Sequence, residues 1–125
     1  MGFKDISQIA GSAMAAQTVR MNTIASNLAN ANAVAGTEAD AYRARKPVFA
    51  AMVGDAGTAS VQVLDVVESS APLRRMHEPD NPLADADGMV FYANVNEVAE
   101  MADMMAASRA FETNVEVMGR IKSMQ

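Results

Sequence analysis

The chain has 125 residues, room for one domain, and half of them are apolar, which excludes a chain kept disordered by its composition. Its formal charge is −5 with ten basic residues, so nucleic acid and anionic membrane surfaces, which need a basic face, are excluded as main partners. Cysteine is absent, which excludes a disulfide framework and a thiolate metal site, and no run of about 18 apolar residues is present to cross a membrane as a helix.

The apolar content is mostly Ala, Val and Met, with no Trp. Such side chains bury little area each, so a monomer built from them has a modest core. Eleven Met residues suit surfaces that repack against a partner, because Met is unbranched and adaptable. At the N-terminus Lys4 is followed by Asp5, Gln8 and Gln17, which interrupt any apolar stretch of a cleavable secretory signal. Met1-Gly2 does not complete a myristoylation motif, since Ile6 stands where Ser or Thr is needed.

In chain order, the spacing predicts a first helix over 5–32, with Asp5 or Ser7 as its cap and Gly36 marking its end. Ile6, Ile9, Ala13, Ala16, Arg20, Ile24, Asn27 and Ala31 recur at three-four spacing. Between Ile6 and Ala35 the only charge is Arg20. The rest of the surface is Ser, Thr, Gln, Asn and Ala, which lets backbones approach closely and supplies hydrogen bonds inside a seam. With little else in the chain to cover it, this helix reads as one covered by other subunits. Asn22, Asn27, Asn30 and Asn32 are the candidate inter-helix hydrogen-bonding groups.

The middle, 37–93, reads as a β-hairpin and an extended connection. Strands are expected at 42–53, limited to an edge by Pro47, and at 59–67, with a Gly-Asp-Ala-Gly turn at 54–57. Pro72, Pro79 and Pro82 then keep the acidic connection extended, before a turn and a strand-like run at 89–92. The last helix is expected over 94–124, capped by Asn94 or Asn96, with Glu97 and Glu100 early and Arg120 and Lys122 late to suit the helix dipole. Met101, Met104, Ser108, Phe111, Val115 and Met118 follow heptad-like spacing, and Met105, Glu112 and Ile121 widen the stripe. The expected fold is mainly α with a small β element: long terminal helices packed as a coiled-coil-like pair, with the β-hairpin between them. Segment 1–36 is the N-terminal assembly helix, 37–93 the hairpin and extended connection, and 94–125 the C-terminal assembly helix, which forms one domain with the N-terminal helix.

Little chemistry is on offer. His77 is a lone His in a Pro-rich loop. Asp85-Ala-Asp87-Gly88 resembles part of a calcium loop, but aligning Gly88 with its sixth position puts Leu83 and Asn94 where the strongest ligands belong. A turn fits better. Arg43, Arg45 and Lys46 form a basic cluster that reads as a solvated strand face or as a contact for the acidic connection 78–87 of a neighbour. No catalytic residue, metal ligand or cofactor-binding residue is expected.

Two stretches carry a resemblance. Ala-Ser-Asn-Leu-Ala-Asn-Ala-Asn over 25–32 resembles the N-terminal motif of the flagellar rod and hook axial proteins. Asp-Ala-Asp-Gly-Met-Val-Phe-Tyr-Ala-Asn-Val-Asn over 85–96, then Glu100-Met101 and Ala-Ser-Arg-Ala-Phe-Glu-Thr-Asn-Val-Glu-Val-Met over 107–118, resembles the C-terminal motif of proximal-rod members. Ala33 and Ala93 stand where that family often has Thr or Ser, and Pro. The resemblance implies a non-enzymatic subunit that polymerises through its terminal helices into a hollow shaft across the periplasm, exported by the flagellar type III apparatus without a cleaved signal. It implies as partners further copies of the chain, proximal-rod proteins of the FlgB, FlgF and FliE type, and distal rod subunits. The assembly residues would be Ile6, Ile9, Ala13, Arg20, Asn22, Ile24, Asn27, Leu28, Asn30 and Asn32 in the first helix. Asn94, Asn96, Met101, Met104, Met105, Ser108, Phe111, Glu112, Asn114, Val115 and Met118 would serve from the other end. The alternatives are another flagellar axial protein, a soluble helical adaptor or export-substrate module, and, on the strength of His77, Asp85 and Asp87 alone, a small hydrolase or calcium-dependent enzyme.

Overall fold

A computed structural model describes residues 2–54 and 59–124. Helix α1 spans Phe3–Ala29, with Gly2 at its N-cap position. Asp5 lies three residues inside and accepts a hydrogen bond from the Gly2 amide (3.2 Å), so it anchors the first turn from within instead of capping it. The helix ends earlier than the sequence suggests. Asn30 closes it by donating both its backbone amide and its side-chain amide to the Ser26 carbonyl (3.1 and 2.9 Å). Gly36 does not mark that end. A Cβ there would stand 2.7 Å from the Leu83 carbonyl oxygen, so the glycine lets two chain segments meet.

Strands β1 (Val34–Ala35), β2 (Arg45–Val53), β3 (Ala59–Glu68), β4 (Arg74–His77) and β5 (Met89–Tyr92) form two antiparallel sheets. In the first, β2 pairs only with β3, and a bulge separates Val48↔Asp65 from Phe49↔Val63, leaving Leu64 as the extra residue. The turn expected at 54–57 lies, Gly54 apart, outside the described residues. The second sheet has the order β1-β5-β4. Its central strand supplies Val90, fully buried, and Phe91. Next to it Ala93 and Val95 pack with Ala31, Ala44 and the half-buried Tyr42. Helix α2 spans Glu97–Met124. Asn96 caps it, its side-chain oxygen accepting from the Ala99 amide at 3.1 Å.

The expected fold class is therefore corrected. The chain is a mixed α and β protein in which, among the described residues, helices of 27 and 28 residues flank five strands in two sheets, not a helical pair separated by one hairpin. The reason lies in the strands of two to four residues. They are too short to show a period of two, and β1 and β4 find their common partner β5 only after a long excursion of the chain. The β2–β3 hairpin lies along one flank of α1, with the Val61 amide donating to the Ser12 hydroxyl at 3.1 Å, so that flank is covered from within the chain while Gln8, Ala15, Thr18, Asn22, Ala25 and Ala29 stay exposed. Its other side meets α2. Asn27 reaches Glu100 and Arg20 reaches Asp103 (3.7 Å), an order that runs the helices antiparallel.

Gly88 is the one residue with positive φ (+77°) among those described, and a Cβ there would stand 3.0 Å from the His77 ring and 3.1 Å from Pro79. Gly88→Ala is expected to cost about 1–2 kcal/mol, the usual penalty of the left-handed region for an L side chain. Gly119→Ala, within α2 and with open space at its Cβ, should instead stabilise by roughly 0.5–1 kcal/mol. Urea unfolding of the two variants should move the midpoint in opposite directions.

Candidate assembly interface

Helices that meet neighbours can offer them only the polar groups the chain does not use itself. Asn27, 1% exposed, uses all of its own. Its amide donates to the Arg45 carbonyl (2.9 Å) and to a Glu100 carboxylate oxygen (3.2 Å). Its oxygen accepts from the Tyr42 hydroxyl (2.8 Å) and the Arg45 amide (2.9 Å). An Asn side chain has two donors and two acceptor sites, so this one is saturated. Because the Tyr42 proton points to Asn27, Ser26 must be the donor in its 2.9 Å contact with the Tyr42 oxygen. Glu100 is the one buried charged side chain among those described, and Asn27 is its hydrogen-bond partner.

A second amide works nearby. Asn94 accepts from the Ala44 amide (2.6 Å) and donates to the Ala71 carbonyl (2.9 Å), which binds the roots of the hairpin to the end of β5. It does not cap α2; Asn96 does. Arg43 donates to the Ser69 and Ala71 carbonyls (3.3 and 3.0 Å), and Arg45 stacks over the Tyr42 ring at 5.4 Å. Two of the three basic cluster residues are thus engaged inside the chain, and Lys46 is exposed. Arg74, which no sequence pattern singled out, donates to the Ala93 and Ala31 carbonyls (3.3 and 3.1 Å) and lies over the Tyr92 ring. The neighbouring Arg75 lies over the Phe91 ring at 5.4 Å, and nothing in the polar run Arg74–His77 signals either contact. The Asp85 carboxylate accepts from the Asp87 and Met89 amides (2.9 Å each), closing a turn of its own.

The remaining interface candidates divide by exposure. Ile24 is buried with Asn27. Ile6, Ile9, Ala13, Arg20, Leu28, Asn30, Met104, Ser108, Phe111, Asn114 and Met118 are half-buried. Met104, Phe111, Asn114 and Met118 continue the stripe begun by the buried Glu100 and Ala107 and ended by the buried Ile121, which marks the covered face of α2. Asn22, Asn32, Asn96, Met101, Met105, Glu112 and Val115 are exposed. On the outward face of α2, Met101 (54% exposed) and Met105 (69%) follow Val98 (78%). A shallow groove lined by Ala102, Met105, Ala106, Arg109, Ala110 and Thr113 runs along that face.

Residues 8–36 match the family described as "Flagella basal body rod protein", and residues 86–125 match "Flagellar basal body rod FlgEFG protein C-terminal". Among curated relatives, the flagellar basal-body rod protein FlgC of Escherichia coli O6:H1 is 49% identical over 99% of this chain and 93% of its own length. The FlgC of Salmonella typhimurium is likewise 49% identical with the same coverage, and that of Yersinia enterocolitica is 44% identical.

Asn27→Ala leaves Tyr42, the Arg45 amide and the buried Glu100 carboxylate without their partner. It should cost at least about 3 kcal/mol, several unmet polar groups at roughly 1–3 kcal/mol each, read from urea unfolding. Asn27→Asp keeps the shape but loses both donors and faces Glu100 with a second carboxylate, so it should also destabilise at neutral pH. Tyr92 gives a separate readout. Its hydroxyl donates to Glu78 at 2.5 Å, and this bond raises its pKa above the ordinary 10.0. A folded-state value above the unfolded one makes the contribution complete at neutral pH and lost as pH rises through the raised value. In ultraviolet titration, Glu78→Gln should lower one of the two tyrosine transitions and leave the other in place.

Proposed function

Because the chain belongs to the flagellar basal-body rod protein FlgC family, and so is a structural, non-enzymatic rod subunit that serves motility, we infer that it joins its neighbours through the outward faces of α1 and α2. It assembles with other components of the flagellar rod. The observation that carries the reading is the exposed Val98, Met101 and Met105 stripe on α2, with Ala102 and Ala106 beside it. A contiguous apolar face of this kind is normally covered by a partner, and Met adapts to more than one partner surface. The outward residues of α1 complement it in kind: Gln8, Ala15, Thr18, Asn22, Ala25 and Ala29 are exposed and uncharged. Small and amide side chains let a neighbouring backbone come close and still find hydrogen bonds.

On this reading, Met101, Met105, Val115, Glu112, Asn22 and Asn32 face neighbours directly. The half-buried Ile6, Ile9, Ala13, Arg20, Leu28, Asn30, Met104, Ser108, Phe111, Asn114 and Met118 shape the ridges between them. Ile24, Asn27 and Asn94 hold the frame, and Asn96 fixes the start of α2. The neighbours are further copies of the chain, proximal-rod proteins of the FlgB, FlgF and FliE type, and distal rod subunits. The place is the proximal rod across the periplasm, reached through the flagellar type III export apparatus. The two helix-borne motifs of the resemblance, one at each end of the chain, support this finer placement.

Met105→Glu changes an exposed position, so unfolding stability should stay within about 0.5 kcal/mol of the parent. Basal bodies isolated from cells making it should nevertheless lack the chain, and the cells should not swim. Normal incorporation with normal swimming would remove α2's outward face from the interface.

A further inference from the structure

The loop 78–88 is held as a fixed projection by its own bonds. Its base is closed by the Glu78 amide donating to the Gly88 carbonyl (2.8 Å) and the Asp85 amide donating to the Met89 carbonyl (3.0 Å). Its tip is closed by Asn81, whose side-chain oxygen accepts from the Leu83 amide and whose carbonyl accepts from the Ala84 amide (2.9 Å each). Pro79 and Pro82 stiffen the backbone between these bonds. At the tip Leu83 is 51% exposed, and among the described residues it is the only exposed large apolar side chain outside a helix or strand. Glu78 is held by Tyr92, and Asp85 by the amides of its own turn. Asp80 and Asp87 are exposed, and among the described residues their carboxylates have no partner.

Elsewhere the molecule carries the complementary shape. A cleft of about 190 Å³ opens between α1, the start of β2 and the first turns of α2. Ile24, Pro47 and Phe49 give it an apolar lining, and Arg20, Arg45 and Lys46 bring cations to it. Its two acids are committed, Glu100 to Asn27 and Asp103 to Arg20. Lys46 is exposed and meets no carboxylate among the described residues. The cleft is smaller than the roughly 300–1,000 Å³ of a small-molecule pocket and suits one inserted side chain. No residue of the loop 78–88 lines it.

We propose that in the assembled rod Leu83 of one copy of this chain seats in this cleft of the next copy, with Asp80 against Lys46. The proposal rests on the reading that further copies are among the neighbours, and it names the surfaces they share. Charge selects the occupant: a knob with unpaired carboxylates meets a cleft whose spare charge is positive. A loop already fixed by its own bonds loses little freedom on docking. Knob and cleft are different surfaces, so the contact runs head to tail, and such a contact extends as a helical filament when it does not close into a ring.

Because the chain has no cysteine, cross-linking reads the contact in the rod itself. Cells making L83C and F49C chains together should yield basal bodies in which diamide joins the two variants through their introduced thiols, identified by mass spectrometry. Cells making either variant alone should yield no dimer. Mixed rods that hold both variants without the dimer would overturn the proposal. So would a dimer from L83C alone, which would set loop against loop. Charge exchange gives a second reading without thiols. K46E and D80K should each lower the amount of chain in isolated basal bodies by about tenfold, and K46E/D80K should return it to within about twofold of the parent, because like charges across a contact are costly and an exchanged pair is not. Single variants at the parental level, or no recovery in the double variant, would overturn the proposal. If Met105→Glu empties the rods while the dimer is absent, this contact falls and the assembly reading stands.

Discussion

Asn27 joins parts of the chain that share no other polar contact of comparable depth. Its four bonds run to the loop residue Tyr42, to both backbone groups of Arg45 at the start of β2, and to Glu100 in the first turn of α2. Each partner group would be costly to bury alone, and a partly satisfied buried network is worse than an apolar one. The network is therefore closed in all its members or not formed. That condition fixes where α1 ends, where the hairpin starts and how α2 departs. The nearby side-chain bonds of Asn94 and Arg74 repeat the device between β5, the hairpin root and the end of α1. Among the described residues the largest fully buried side chains are Val90 and Asn27, which is little bulk to specify packing, and these polar contacts supply the specificity instead.

Rigidity is consequently graded along the molecule. Sheets, hairpin root and the adjoining ends of both helices meet around the polar network. Away from it the buried positions of the helices include small residues, Ala10, Ala16 and Ala107, and the Arg20–Asp103 pair is a partly exposed contact worth no more than about 1 kcal/mol.

The terminal helices were legible because each sustains a three-four pattern over many turns. Strands β2 and β3 were legible because they are nine and ten residues long, with β-formers such as Val48 and Phe49 in one and partial alternation in the other, on either side of a Gly-rich stretch. Their boundaries moved by a few residues where a side chain overruled the pattern: Asn30 stops α1 ahead of the expected position, and Asn96, not Asn94, starts α2. The three-stranded sheet was hidden. Arg74–His77 reads as a polar run, Val34–Ala35 is two residues long, and neither means anything until β5 lies between them. Asn27 stood out in the sequence as a polar member of an apolar seam. Its partners did not, since Tyr42 and Arg45 come within reach only after the chain has reversed. The exposed Met residues were visible by type, but the side of α2 on which each falls depends on a covered stripe begun by a charged residue, Glu100, which hydrophobic spacing alone passes over.

The uncharged outward flank of α1 has a consequence for the environment in which the subunit works. Interactions between exposed charges fade beyond a Debye length of about 8 Å at physiological salt and change with every shift in ionic strength. The exposed Gln8, Ala15, Thr18, Asn22, Ala25 and Ala29 give salt nothing to screen on that flank, so ionic strength acts on a contact made there only through charges of the facing surface. What the flank itself contributes is shape and short-range hydrogen bonding.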